Sequence, residues 1–495
     1  MSESAPPISV PPASGNAAQV TRGIVHETAT YRDVWKNVQY RRVISAQFLS
    51  NTGTWMEMFA ISMFVAQATR RLDDQGTLGL VQQLPIAVLG LLGGLAADRL
   101  NRRALLVYTQ VMAGVVALGV AAVSMIQFED PRTAVHWLFA LGLLNGCVLA
   151  FNFPAWQVLT PRLVPREQLG RALALNGIQF NLARVVGPAA AGFVIALFMR
   201  IPGWEPYASA PCLFFNACSF MFVAWVVSKS PDAPAPPNDG QPVLRQLKSA
   251  WSFVIHQPGP RAVLIAQVLL SFLAAPLVRM LSLFVIDVYG IEEQHAAQEA
   301  GGTLLAVQGV GAVVGGVSLR WVPPWYPKHH FMPLSLALLG LSITVFSLTT
   351  TLWTGYAAMA VCGFFWIWAF NQSWVAMQVL APEHMRGRIL ALVTVLAFGA
   401  TAVGAVLAGV GGEHLKAVVS PAHATQLSVG GLSVMLMLAG IIMMIVRTPE
   451  VDGLDRHGHK AIDLDLTNAV LARRFRPTPP PVDRADVPPS ASLPG

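Results

Sequence analysis

Twelve apolar runs, each about twenty residues or longer, occupy most of the chain and set what it can fold into. They fall at about 43–66, 78–98, 104–126, 134–158, 172–199, 208–228, 262–289, 300–321, 332–350, 355–379, 388–411 and 425–446. A helix rising about 1.5 Å per residue needs about 20 residues to cross a hydrocarbon layer about 30 Å thick. Each run is therefore expected to be one membrane-spanning helix. Composition agrees, since 54% of the 495 residues are hydrophobic and 12% charged, against about 25% charged in a soluble domain. The expected class is an all-α membrane protein.

The basic residues orient the bundle. Of the 33 Lys and Arg, only Arg70, Arg71, Arg132, Arg200 and Lys416 fall in the odd-numbered loops, and this asymmetry predicts cytoplasmic termini in a multi-pass membrane protein. The first forty residues are polar and end in Arg32, Lys36, Arg41 and Arg42, so the first span is expected to act as its own insertion signal. The formal charge of +7 is thus assigned to membrane lipid rather than to nucleic acid. Cys147, Cys212, Cys218 and Cys362 lie inside apolar runs without ligand spacing, which predicts no disulfide framework, no metal site and no cofactor.

Comparing the chain with itself exposes a repeat. FNFPAWQVLTP (Phe151 to Pro161) and FNQSWVAMQVLAP (Phe370 to Pro382) share an FN pair and a QVLxP exit, and the following loops read LGRALAL from Leu169 and RGRILAL from Arg386. RVISAQFLS from Arg42 and RAVLIAQVLLS from Arg261 begin the first and seventh runs. Two six-helix halves in parallel orientation follow. Such halves place a solute site between them near the membrane midplane and rock about it. The expected division is a tail over 1–42, a first half over 43–228, a linker over 229–260, a second half over 261–447 and a disordered tail over 448–495. Within the linker, SKSPDAPAPPNDGQP is Pro-rich, whereas Leu244, Leu247, Trp251, Val254 and Ile255 have the spacing of a helix lying on the membrane surface.

With G-x-x-x-D-R-x-x-R-R between the second and third runs, from Gly94 to Arg103, the chain resembles the major facilitator superfamily over about residues 40–447. SNTGTW (Ser50 to Trp55), PAWQ (Pro154 to Gln157), LNGIQFNLARVVGPAAAG (Leu175 to Gly192) and EHMRGR (Glu383 to Arg388) resemble the bacterial branch containing the enterobactin exporter and related drug and siderophore efflux proteins. The resemblance implies a conformational latch of Gly94, Asp98, Arg99, Arg102 and Arg103. Asp98 would meet basic residues and the positive N-terminal end of the eleventh span near Arg388 when the protein opens outward, with Glu383 and Arg386 as the other latch residues of that stretch. Asn101 stands where the family usually has glycine. The resemblance also implies a hinge at Gly187, Pro188 and Gly192, because proline removes one helical hydrogen bond and clashes with the preceding turn.

Three charges sit inside spans, and each costs on the order of 2.5–3.5 kcal/mol at mid-helix. At about 1.5 Å per residue, Glu57 lies roughly 21 Å along the first span, Arg184 roughly 18 Å along the fifth and Arg279 roughly 26 Å along the seventh. Glu57 is the carboxylate at such depth and hence the candidate for carrying a coupling proton. A static ion pair is the competing reading. Its partner would be Arg184, in the same half, or Arg279, whose repeat counterpart is Phe59 unless Pro276 kinks the seventh span.

For the solute cavity the candidates are Asn152, Trp156, Trp366, Phe370, Asn371 and Trp374, the last group carrying aromatics at i, i+4 and i+8 of one helical face. Aromatic walls with a few hydrogen-bonding groups suit amphipathic solutes. Packing against lipid is the alternative for these rings. His295, His329, His330, His384 and His414 are scattered over both faces, so an enzyme is not expected. The expected function is a monomeric, proton-coupled exporter of a small-molecule solute such as a siderophore or drug, with an uncoupled facilitator or an importer as the alternative.

Overall fold

The computed structural model describes residues 30–165, 168–230, 243–274, 276–322, 328–382 and 385–446. The Pro-rich part of the linker and the C-terminal tail lie outside these residues. A short helix α1 (Tyr31–Lys36) opens the described chain, its end closed by a capping box between Thr30 and Asp33. Bonds from Thr30 and Lys36 hold the Asp33 carboxyl well below the usual carboxylate range.

The spans follow in order. The first half comprises α2 (Val38–Thr69), α3 (Leu72–Arg99), α4 (Arg102–Met125), α5 (Pro131–Leu163), α6 (Leu169–Phe198) and α7 (Ala210–Ser228). After the linker helix α8 (Val243–His256) come α9 (Pro258–Leu273), α10 (Pro276–Asp287), α11 (Gln294–Ser318), α12 (Lys328–Ser347), α13 (Leu352–Leu380), α14 (Arg386–Leu415) and α15 (Pro421–Val446). No strand occurs among the described residues. Eleven spans are long and apolar enough to cross a membrane. The twelfth is α2, which has 32 residues but is diluted by the polar stretch SNTGTWME.

The seventh span is two helices rather than one. α9 ends at Leu273 and α10 starts at Pro276, because proline lacks the N–H that would continue the ladder and disfavours helical geometry in the residue before it. The linker helix forms over the expected residues, but it buries Ala250 and Val254 and packs on α9 and α14. Trp251 is left exposed. This helix is therefore docked to the second half as well as amphipathic.

Packing repeats between the halves. In the first, α2 packs on α6 and α7, α3 on α5, and α4 on α7; in the second, α9 and α10 contact α14 and α15, α11 packs on α13, and α12 on α15. Glycines near the ends of α3 and α11 show why. A Cβ on Gly93 would overlap the Ala150 carbonyl of α5, and one on Gly315 would overlap the Phe364 carbonyl of α13. Each half thus needs a bare backbone where its second and fourth helices cross.

The halves join through two crossings, α3 with α14 and α6 with α11. The first is closest on the side of the bundle opposite the termini, here called the far side, and the second is close from that side to mid-helix, where a Cβ on Gly309 would stand 3.0 Å from the Val185 Cα. A Cβ on Gly409 would stand 2.5 Å from the Leu72 carbonyl oxygen and 2.9 Å from the Gly76 Cα. On the α6 side, a Cβ on Gly302 would stand 2.9 Å from the Pro188 carbonyl oxygen. Polar contacts close the same side. Glu413 accepts from the Leu72 N–H at 2.9 Å, Lys416 donates to the Arg70 carbonyl at 2.7 Å, and the Ser62 and Ser282 hydroxyls meet at 3.0 Å. Toward the termini the contact thins, and a Cβ on Gly94, Gly177 or Gly387 would meet nothing within 4 Å. The halves meet on the far side and part on the terminus side.

Overpacking a close helix crossing costs about 1–3 kcal/mol. Gly409→Leu is therefore expected to pry the far side open. In a background without the four native cysteines, pulsed electron-spin measurements between labels at Ala68 and Glu293 should give a longer distance for the variant than for its parent. An unchanged distance would show that this crossing does not hold the halves together.

Candidate functional site

The first span carries the deepest carboxylate and turns it into its own half. Glu57 is buried, and its Oε2 accepts a 2.7 Å bond from the Asn216 amide of α7. Ser219 holds that asparagine by donating to its backbone carbonyl at 2.7 Å. Gly53, one turn earlier on α2, clears the space, since a Cβ there would lie 2.7 Å from Asn216 Oδ1. Neither Arg184 nor Arg279 forms an ion pair with Glu57, so the expected partnership with an arginine is replaced by one with a neutral amide. Sequence reasoning missed Asn216, whose signal is an amide inside the sixth apolar run.

Arg184 projects from α6 into the seam between halves. Its guanidinium carbon lies 5.0 Å from the ring centroid of Trp366 on α13 and 5.9 Å from that of Trp55 on α2. Trp55 in turn meets Phe180 edge to face at 6.1 Å. The buried Nη2 of Arg184 has no hydrogen-bond partner among the described residues. Arg279 is buried on α10 with its side chain near Gly79 of α3, and its Nη1 is likewise unpartnered. A small cavity beside it is lined by Met58, Phe59 and Ser62 from one half and Ser282 and Leu305 from the other.

The remaining cavity candidates separate. Asn152 is buried and donates to the Thr109 hydroxyl of α4 at 2.8 Å, so it links helices inside the first half rather than facing the seam. Trp156 packs with the apolar cluster of Tyr40 and Leu159 in that half. Trp366 lies against Arg184, and Phe370 stacks on Trp374 with centroids 6.4 Å apart. Asn371 is half-buried on the same helix. Sequence reasoning missed Trp55 and the pair Phe153 and Phe398, whose rings meet across the halves at 5.4 Å.

Gly187, Pro188 and Gly192, expected to form a hinge, all lie on α6. α6 runs unbroken through Pro188. Gly187 abuts α2, where a Cβ would stand 2.8 Å from the Thr52 carbonyl oxygen, while Gly192 faces Gln298 and Gly302 of the other half.

The residues expected to form a latch lie on the terminus side, where the contact between the halves is thinner. The Asp98 side chain and Glu383 are outside the described residues. Arg99 is exposed. Arg102 is buried and donates to the Ala97 carbonyl at 2.9 Å, and Arg103 donates to the Ser230 carbonyl at 3.0 Å, so both brace the loop within the first half. Asn101 does not need glycine geometry, since it caps α4 at φ −62° with its side chain accepting from the Ala104 N–H. Arg386 and Arg388 occupy the first turn of α14, with Arg386 Nε unpartnered.

Comparison with known proteins agrees with this architecture. Residues 32–477 match the family model described as transmembrane secretion effector. The multidrug efflux pump Tap of Mycolicibacterium fortuitum is 25% identical over 418 residues, covering 83% of this chain and 96% of that protein. The enterobactin exporter EntS of Escherichia coli (strain UTI89 / UPEC) is 24% identical over 449 residues, covering 90% of this chain and 95% of its own. A bacterial homologue of the human lysosomal transporter Spinster superposes with a TM-score of 0.59 at 14% identity, over 83% of this chain and 95% of that one. Two six-helix halves, crossed by glycine-lined seams and matched along nearly their whole length by this family, make the chain a transporter of the major facilitator superfamily, in its transmembrane secretion effector family.

Proposed function

We propose that the protein is a proton-coupled exporter of siderophores, drugs or similar amphipathic metabolites, working as a monomer in the bacterial inner membrane with both termini in the cytoplasm. In that orientation the parted terminus side opens to the cytoplasm, and solute enters the seam from there. The observation that carries the coupling is Glu57, a carboxylate inside a span whose polar partner is the neutral Asn216. A static ion pair would need a cation beside it. Without one, protonation is the way to neutralise the charge in a medium of low dielectric. Tap and EntS, the relatives described above, are named for efflux and export, which favours export over import. Alternating access follows from exchanging the far-side contacts for contacts at the Asp98 loop.

Reconstitution in liposomes with an imposed pH gradient tests this. Wild-type protein should move a siderophore or a cationic dye in a gradient-dependent way, and Glu57→Gln should abolish that dependence. Gradient dependence that survives in Glu57→Gln would favour the uncoupled facilitator or importer.

Removing one partner from a buried polar pair costs about 1–3 kcal/mol. Asn216→Leu should therefore lower the thermal midpoint of the purified protein, whereas Asn216→Asp should move the pH dependence of transport by placing a second acid beside Glu57. A midpoint and pH profile both equal to wild type would remove Asn216 from the coupling site.

A further inference from the structure

Among the described residues deep in the seam between the halves, two arginines face one glutamate. Arg184 and Arg279 enter it from opposite halves with unpartnered nitrogens, while Glu57 is turned toward Asn216 inside the first half. Arg184 is also flanked by aromatic rings from both halves, Trp55 from the first and Trp366 from the second. Its planar guanidinium offers donors in a fixed fork that matches a carboxylate or sulfonate. Buried N–H groups without acceptors are costly, so a solute that supplies an anionic oxygen there gains more than a neutral one of the same shape.

Building on the exporter reading, we propose that Arg184 binds the anionic group of the solute, with Trp55 and Trp366 flanking an attached aromatic ring, so that the protein selects flat aromatic anions. The clamp draws on both halves. Its two indoles are in place together when the halves are parted on the terminus side, so the solute is gripped in the state that loads it and released when the halves rearrange. A cation–π tie that merely holds the halves together would show no preference for solute charge.

Titration calorimetry on the purified full-length protein separates these. The probes are 2-naphthoate and the neutral 2-naphthalenemethanol, with wild type, Arg184→Gln and Arg184→Lys. Wild type should bind the carboxylate at least about tenfold more tightly than the alcohol, the scale of one charge-assisted hydrogen bond. Arg184→Gln should lose that preference while keeping its affinity for the alcohol, and Arg184→Lys should keep part of it. Trp366→Leu, which retains the charge, should weaken both probes and serves if Arg184→Gln does not fold. Equal binding of the two probes to wild type, no binding of either, or an undiminished preference in Arg184→Gln would overturn the proposal. Transport of a cationic dye by wild type alongside any of those results would leave the exporter reading standing. Tight naphthoate binding with no transport of dye or siderophore would sink the exporter reading and leave the anion site.

Discussion

A hydrocarbon layer solvates no charge, and the arrangement of this protein follows from where it puts the few charges it cannot place in water. Arg184, Arg279 and Glu57 all lie on helices that line the seam between the halves, rather than facing lipid. Each is handled differently. The glutamate is given an amide, one arginine is given two indoles, and the other is closed in beside a small cavity with serine hydroxyls. Each arginine keeps a nitrogen without a hydrogen-bond partner among the described residues.

The seam is held by backbone proximity more than by side-chain bulk. In lipid, association between helices gains little from burying apolar groups, so close approach at small residues and a few polar contacts decide which arrangement is stable. Gly76 and Gly409 bring α3 and α14 into near contact on the far side, and Glu413 and Lys416 fasten the ends of the same helices to Leu72 and Arg70. These contacts join one half to the other without an internal chain connection. They are consequently the contacts that must break when the far side opens.

Much of this was readable from the chain. Apolar run length fixes the number of crossings, and the FN and QVLxP repeats give the twofold division, because both are local signals. Glu57 and Arg184 stand out as charges in apolar runs. What could not be read is which way each points, since a helical position leaves the rotation about the helix axis open until its neighbours are known. Glu57 turns to α7 and Arg184 to α13, so a pairing that depth alone allowed does not form. Asn152 failed as a cavity residue for the same reason, as the matching asparagines of a repeat need not face matching surroundings. Asp287 likewise accepts from Thr425 of α15 at 3.0 Å, a partner that spacing along the chain does not announce. The contacts of Glu413 and Lys416 across the seam carried no legible signal because there they bond main-chain atoms.

Pro188 lies four residues after Arg184 on α6. A proline has no N–H to give, so the main-chain oxygen of Arg184 is the one left without its usual helical donor. The weakened point of the helix and the residue gripped by the two indoles are therefore the same residue. A bend of α6 at this point would change the angle at which the guanidinium meets Trp366 across the seam, so the helix's softest place and its aromatic contact with the other half coincide.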